Sequence, residues 1–309
     1  MKLGLVRYCK PKEAPGRKGF AKRLPKRLVK WCVETFRPYT FQKINLLGAE
    51  GYEILLYLDQ DEEKEEDIRH QRILEEMLRD FCDKDVEIII PPQTGVFPTN
   101  IIRIAEGKAI KGLFALQAIK KAIKRSGKDW KDCRVILVDG GNFLTKLTLD
   151  MIYPYVNFLS IYTDRAEDFT EKVEEIYEDC GLTLQVFSSP KSNIMKEADA
   201  ILNCGCEMEN FDYTMKKGAF YFDIAGNRRK LKRLLVRRDD LFLADDLVLK
   251  KGHDFYSTSQ IEAASYLTST SFRKFLCGRY DKETAEEASK FLNAEDFSIS
   301  GFSCFEKRV

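Results

Sequence analysis

From Arg134 onward the chain alternates between short apolar runs and helical patterns, and this alternation narrows the possible folds more than any other feature. "RVILVD", "NFLSIYTD", "LTLQVFSS", "ADAILNCG" and "GAFYFDIAG" are each of strand length, and "DLFLADDLVL" supplies another. Between them lie helical segments such as "DFTEKVEEIYEDCG", in which Val173, Ile176, Tyr177 and Cys180 fall on one face and Gly181 is placed to cap the end. Strands that are apolar on both faces and joined by helical crossovers require a parallel sheet with helices packed on each side. The expected fold class is α/β, with a doubly wound parallel-sheet domain.

The chain has 309 residues, enough for two compact domains with separate cores. In the first third, "LGLVRY", "EILLYL" and "VEIII" read as strands, while "FAKRLPKRLVKWCVETF" and "DIRHQRILEEMLRDFC" read as helices. A loop with three prolines, "PPQTGVFPTN", precedes "GKAIKGLFALQAIKKAIKRSG". There Ile110, Leu113, Leu116, Ile119 and Ile123 recur at helical spacing, which predicts one connecting helix closed by Gly127. The organisation expected is a smaller α/β domain over 1–106 for a substrate or partner, and a nucleotide-binding domain over 107–255. Helices over 256–309 are expected to pack back on the first domain.

Charged residues make up 32% of the chain and the formal net charge is +2, a balance suited to a folded protein with no bulk electrostatic preference. The charges are unevenly placed: a basic group runs from Lys10 to Lys30, a second from Arg228 to Arg238, and "DQDEEKEED" opposes them. Such clusters are ordinarily solvated surface; a phosphate site ranks second and nucleic acid third. The apolar runs are all far shorter than the roughly 20 residues that cross a bilayer. "MKLGLVRYCKPKEAPGRKG" lacks a secretory pattern, so a cytoplasmic protein is expected. Nine cysteines then read as reduced thiols. Cys204 and Cys206 are separated by one residue, and His70 and His253 are the only histidines, so no metal site is expected.

Ligands of a doubly wound sheet bind at the carboxyl ends of its strands, where the strand order reverses. "CRVILVDGGNFLTK" runs from a strand through Gly140, Gly141 and Asn142 into a helix, the layout that lets a pyrophosphate approach backbone amides. Aligned with G-x-G-x-x-G, however, the first glycine falls on Asp139 and the third on Leu144. A carboxylate repels phosphates, and a leucine side chain adds bulk between helix and strand. The turn is either a working cradle or a strand-to-helix turn that uses glycine for geometry alone. In "IYTDR", Asp164 suits ribose hydroxyls and Arg165 suits a 2′-phosphate, which leaves NAD or NADP open. Gly205 in "NCGCE" and Gly226 in "DIAGN" allow a ribose or nicotinamide close to the backbone.

Three further places carry candidate chemistry. Cys9 ends the first strand near Lys10 and Lys12, which favour a thiolate, although an inert strand-end thiol is the simpler reading. Thr94, Thr99 and Asn100 can orient a polar substrate or form turns. His253 is a candidate acid or base, or a surface loop residue.

The order "EGKAIKGLFALQAIKKAIKRSGKDWKDCRVILVDGGN", "IYTDR", "KEADAILNCG", "MKKGAFYFDIAG" resembles the NAD(P)-binding half of the shikimate dehydrogenase and amino-acid dehydrogenase-like families. The resemblance covers roughly Gly107 to Asp246 and implies a Rossmann domain with a degenerate glycine motif, beside an interdomain cleft. The "GHDFYSTSQIEAASYL" segment loosely resembles the start of the carboxyl-terminal helices in shikimate dehydrogenases. The family's catalytic lysine and aspartate lie in its first domain and match no motif here, so only cofactor positions carry over.

The leading expectation is an NAD(P)-dependent oxidoreductase acting on a small polar substrate in that cleft. The alternatives are a catalytically inactive nucleotide-sensing or scaffold protein, and a nucleic-acid or phosphate-ligand binder using the basic amino terminus. A small molecule is the expected partner, with no membrane and with nucleic acid only under the last of these alternatives; a homodimer is left open.

Overall fold

The structure is a computed structural model that describes residues 1–9, 38–57, 68–92, 102–125, 127–189, 192–205, 215–305 and 307–309. Thr94, Thr99, Asn100, the helical pattern over 20–36 and both the amino-terminal basic cluster and the acidic run lie outside the described residues. Two compact units emerge, one of residues 1–106 with 259–270 and one of 107–258 with 271–309.

In the first unit, five strands lie in the order β2-β3-β1-β4-β5. They are β1 (Lys2–Tyr8), β2 (Tyr39–Leu46), β3 (Ala49–Leu56), β4 (Val86–Ile90) and β5 (Arg103–Ile104). β2 and β3 form a hairpin and are antiparallel; the remaining pairs are parallel. The hairpin turns on Leu47 and Gly48, both at positive φ, the geometry whose twist matches the flanking strands. Helix α1 (Ile68–Cys82) places Ile73, Leu74, Met77, Leu78 and Phe81 in one buried face, at the spacing of a helix that covers a sheet.

The second unit holds a six-stranded, wholly parallel sheet. Its strands are β6 (Arg134–Val138), β7 (Phe158–Tyr162), β8 (Gln185–Phe187), β9 (Ala200–Asn203), β10 (Phe220–Asp223) and β11 (Phe242–Ala244). They lie in the order β11-β10-β9-β6-β7-β8. Counted from β6, this is the order 3-2-1-4-5-6 of the doubly wound dinucleotide-binding fold. β9 and β10 are buried at every position, which explains their unbroken apolar runs.

Before the sheet, the single helix expected over 107–127 is divided into α2 (Lys108–Leu113) and α3 (Ala115–Lys124), because Phe114 leaves helical geometry at φ −94° and ψ 8°. α4 (Phe143–Ile152) and α5 (Thr170–Cys180) follow β6 and β7. The apolar face expected on α5 is narrower than its spacing suggests, since only Ile176 is buried while Tyr177 and Cys180 are exposed. Gly181 caps α5 in left-handed geometry, donating to the Tyr177 carbonyl at 2.8 Å. A short helix, α6 (Asn193–Glu197), precedes β9, and α7 (Arg228–Arg237) follows β10.

"DLFLADDLVL" is two strands rather than one. Asp245 turns the chain out of the parallel sheet into β12 (Asp246–Lys251), which joins β13 (Asp254–Tyr256), β14 (Ser298–Cys304) and β15 (Lys307–Arg308) in an antiparallel sheet. The helices α8 (Thr258–Thr268), α9 (Thr270–Cys277) and α10 (Lys282–Ala294) separate β13 from β14. Buried Asp150 on α4 accepts from the Tyr280 hydroxyl at 2.5 Å and pairs with Lys172 at 2.9 Å. Lys282 donates to the Tyr153 hydroxyl at 2.8 Å, and that hydroxyl donates to Asp179 at 2.7 Å. Losing the Tyr280 bond in Tyr280→Phe is expected to cost about 1–2 kcal/mol, read from a urea titration against wild type; an unchanged midpoint would show that Asp150 is satisfied without it.

Candidate functional site

The reversal of strand order falls between β6 and β9, and the glycine turn sits there. After Val138, the Asp139 amide bonds the Tyr162 carbonyl and the Cys204 amide bonds the Val138 carbonyl, so the tips of β6, β7 and β9 are tied together. Gly140 is needed sterically: a Cβ there would lie 2.1 Å from the Cys204 carbonyl oxygen. Gly205 approaches from the other side, where a Cβ would lie 2.5 Å from the Asp139 oxygen. Gly141 takes φ +64°, and a Cβ on it would lie 2.2 Å from the Arg165 guanidinium nitrogens. Asn142 caps α4 by accepting from the Leu144 amide at 3.0 Å, and its own amide donates to the Cys204 carbonyl at 3.2 Å. Leu144, at the third glycine position of the motif, is accommodated with its side chain buried.

Asp139, at the first glycine position, is woven into the turn. Its side chain is 3% exposed. One carboxylate oxygen accepts from the Gly141 amide at 2.7 Å; the other accepts from Arg165 at 2.6 Å and from the Thr163 hydroxyl at 2.9 Å. Burial opposes the charge, but the Gly141 amide, Arg165, Thr163 and Thr145 outweigh it and hold the carboxyl below the usual range. The Gly140 amide is likewise engaged, by the Thr145 hydroxyl at 3.0 Å. Arg165 also faces Asp164 at 3.8 Å and Asp168 at 3.9 Å. Asp164 itself is 77% exposed.

The remaining predicted residues are more dispersed. Gly226 lies past the tip of β10 at φ +80°, and a Cβ there would meet only the Lys108 side chain, at 3.6 Å. His253 is exposed in the turn between β12 and β13. Cys9 follows β1 in the other unit, its amide bonded to the Leu56 carbonyl at 2.8 Å. Cys204 is fully buried against the Leu144 carbonyl and the Thr148 hydroxyl, and burial pushes its thiol up to about 12, so it remains protonated. No group of three or more His, Cys, Asp or Glu able to hold a metal occurs among the described residues.

A buried polar cluster that sequence reasoning missed lies further along the same sheet edge. The Lys111 ammonium, carried by α2, donates to the carbonyls of Asp223 at 3.2 Å and Asp245 at 3.0 Å. Asn203 at the tip of β9 donates to the Asp223 carboxylate at 2.9 Å, and the Phe305 amide to that of Asp245 at 3.0 Å. Asp246 accepts from the Thr258 hydroxyl. Burial pushes all three carboxyls up, and Lys111 partly offsets it.

No family model and no curated protein sequence matches the chain. It is similar to solved structures at low identity. The L-tryptophan dehydrogenase from Nostoc punctiforme is 12% identical over 95% of this chain and 80% of that one, with a TM-score of 0.39. The shikimate 5-dehydrogenase from Listeria monocytogenes, solved with shikimate and NAD, is 12% identical over 93% and 95%, with a TM-score of 0.35. The Δ1-pyrroline-2-carboxylate reductase from Thermococcus litoralis, solved with NADH and L-proline, is 12% identical with a TM-score of 0.29, and the match spans only 35% of its length. Values of this size carry no inference about activity. No helix among the described residues is long and apolar enough to cross a membrane.

Proposed function

We propose that residues 107–258 bind a nicotinamide dinucleotide across the tips of β6, β7 and β9, and that the protein transfers a hydride between it and a small polar substrate. The observation that carries this reading is the 3-2-1-4-5-6 strand order with a glycine turn at its reversal point. Gly140 and Gly141 add no side chain of their own at the start of α4, where the Arg165 guanidinium lies against Gly141 and the helix amino terminus favours a pyrophosphate. Exposed Asp164 is placed to accept from ribose hydroxyls, and Gly205 and Gly226 leave room beside the tips of β9 and β10. The bound cofactor supplies the hydride; the chain supplies position and a field.

One observation favours a second reading, a nucleotide-sensing or scaffold protein without turnover: the Asp139 carboxylate already accepts from the Gly141 amide. Titration with NAD+, NADH, NADP+ and NADPH, followed by nucleotide fluorescence and melting temperature, separates these cases. Saturable binding of at least one nucleotide is expected. Binding without hydride transfer to any of a panel of hydroxy, oxo and amino acids would favour the second reading, and no binding of any of the four would remove the oxidoreductase and nucleotide-sensing readings and leave a scaffold.

A further inference from the structure

Resting on the dinucleotide reading above, we infer that Asp139 decides which dinucleotide the site takes: by holding Arg165 against the glycine turn, it selects NAD(H) over NADP(H). An arginine just past the second strand of the sheet ordinarily suits a 2′-phosphate. Here that arginine is committed elsewhere. Its guanidinium lies against Gly141, so close that a Cβ at that position would fall 2.2 Å from two of its nitrogens. It is bound to Asp139 at 2.6 Å. The latch is itself braced, because the Thr163 hydroxyl donates to the same Asp139 oxygen at 2.9 Å and accepts from the Arg165 amide at 3.0 Å.

The surrounding charge reinforces this commitment. Asp139, Asp164 and Asp168 lie 2.6, 3.8 and 3.9 Å from the Arg165 guanidinium, so three carboxylates face one cation. A doubly charged 2′-phosphate arriving there meets net repulsion. To recruit Arg165 it must also strip the counter-ion from Asp139, whose side chain is 3% exposed and would be left buried and uncompensated. A ribose diol carries no charge and donates hydrogen bonds, and Asp164, at 77% exposure, is an available acceptor. The residue that spoils the glycine motif is thus a specificity element whose partner lies just past the next strand.

The test is the ratio of NADPH to NADH dissociation constants in three proteins, measured by nucleotide fluorescence at fixed ionic strength, with melting curves run in parallel. Wild type is expected to bind NADH at least about ten-fold more tightly. Asp139→Asn keeps an oxygen for the Gly141 amide but frees Arg165, and should move the ratio about ten-fold toward NADPH. Arg165→Ala leaves the Asp139 carboxylate without its counter-ion and is expected to melt lower, but the folded protein should keep the wild-type preference for NADH. Three results overturn the inference: a wild-type preference for NADPH, a ten-fold loss of NADPH binding alone in Arg165→Ala, or an unchanged ratio in folded Asp139→Asn. Should Asp139→Asn melt before binding can be measured, the first two still decide. If none of the proteins binds either nucleotide, the failure lies with the dinucleotide reading itself.

Discussion

Gly140→Ala is expected to cost about 3 kcal/mol or more and to lower the melting temperature of the parallel-sheet unit, although the substitution adds one methyl group. The added Cβ would lie 2.1 Å from the Cys204 carbonyl oxygen and 2.8 Å from its carbon. Both belong to backbone that cannot rotate aside, because the Cys204 amide is bonded to the Val138 carbonyl. Relief requires the tips of β6 and β9 to part, and that breaks the bond from Asn142 to Cys204 that also steadies the start of α4. Gly127→Ala is the matched control. It sits at φ +72° with open space around it, so only backbone strain of about 1 kcal/mol is at stake. Urea titration of both variants compares steric exclusion with conformational preference. A Gly140→Ala protein as stable as Gly127→Ala would mean that the strand tips separate readily and that the turn is not the rigid feature a dinucleotide site needs.

The same turn shows where sequence reasoning stops. The parallel sheet was legible because β9 and β10 are buried throughout, and complete burial imposes unbroken apolar runs that can be read residue by residue. β2 was not, because its half-exposed residues leave no apolar signature and its pairing with β3 is set by the Leu47–Gly48 turn. The break at Phe114 was invisible for the opposite reason: buried positions on both α2 and α3 keep helical spacing across it. The sequence marks Asp139 and Arg165 as separate facts, one a defect in a motif and the other suited to a 2′-phosphate. What joins them is a contact between residues 26 positions apart, produced by the parallel pairing of β6 with β7. A linear motif has no place for such a partner. Lys111 was hidden more thoroughly still, since the carbonyls it binds lie 112 and 134 residues away and nothing in an amphipathic helix marks one lysine as buried.

Lys111→Met should therefore destabilise the protein by about 3–5 kcal/mol at pH 8, and by clearly less at pH 5. The two side chains are of similar volume, so packing changes little while the cation among Asp223, Asp245 and Asp246 is lost. Burial holds these carboxyls above their unfolded range, where the ordinary aspartate value is about 3.9. Groups raised in this way support the fold fully below the unfolded value, and that support is lost as pH rises through the folded one. Lys111 lowers all three, so its removal moves the loss to higher pH and deepens it where the carboxyls ionise. Comparison of urea midpoints for wild type and variant at pH 5 and pH 8, with exposed Lys124→Met as the control, measures this directly. A gap between wild type and Lys111→Met that does not change with pH would show that the lysine acts through packing and its two carbonyl bonds alone. A gap that widens with pH would make Lys111 the counter-ion that keeps the carboxyl edge of the sheet intact under the conditions in which a dinucleotide would bind.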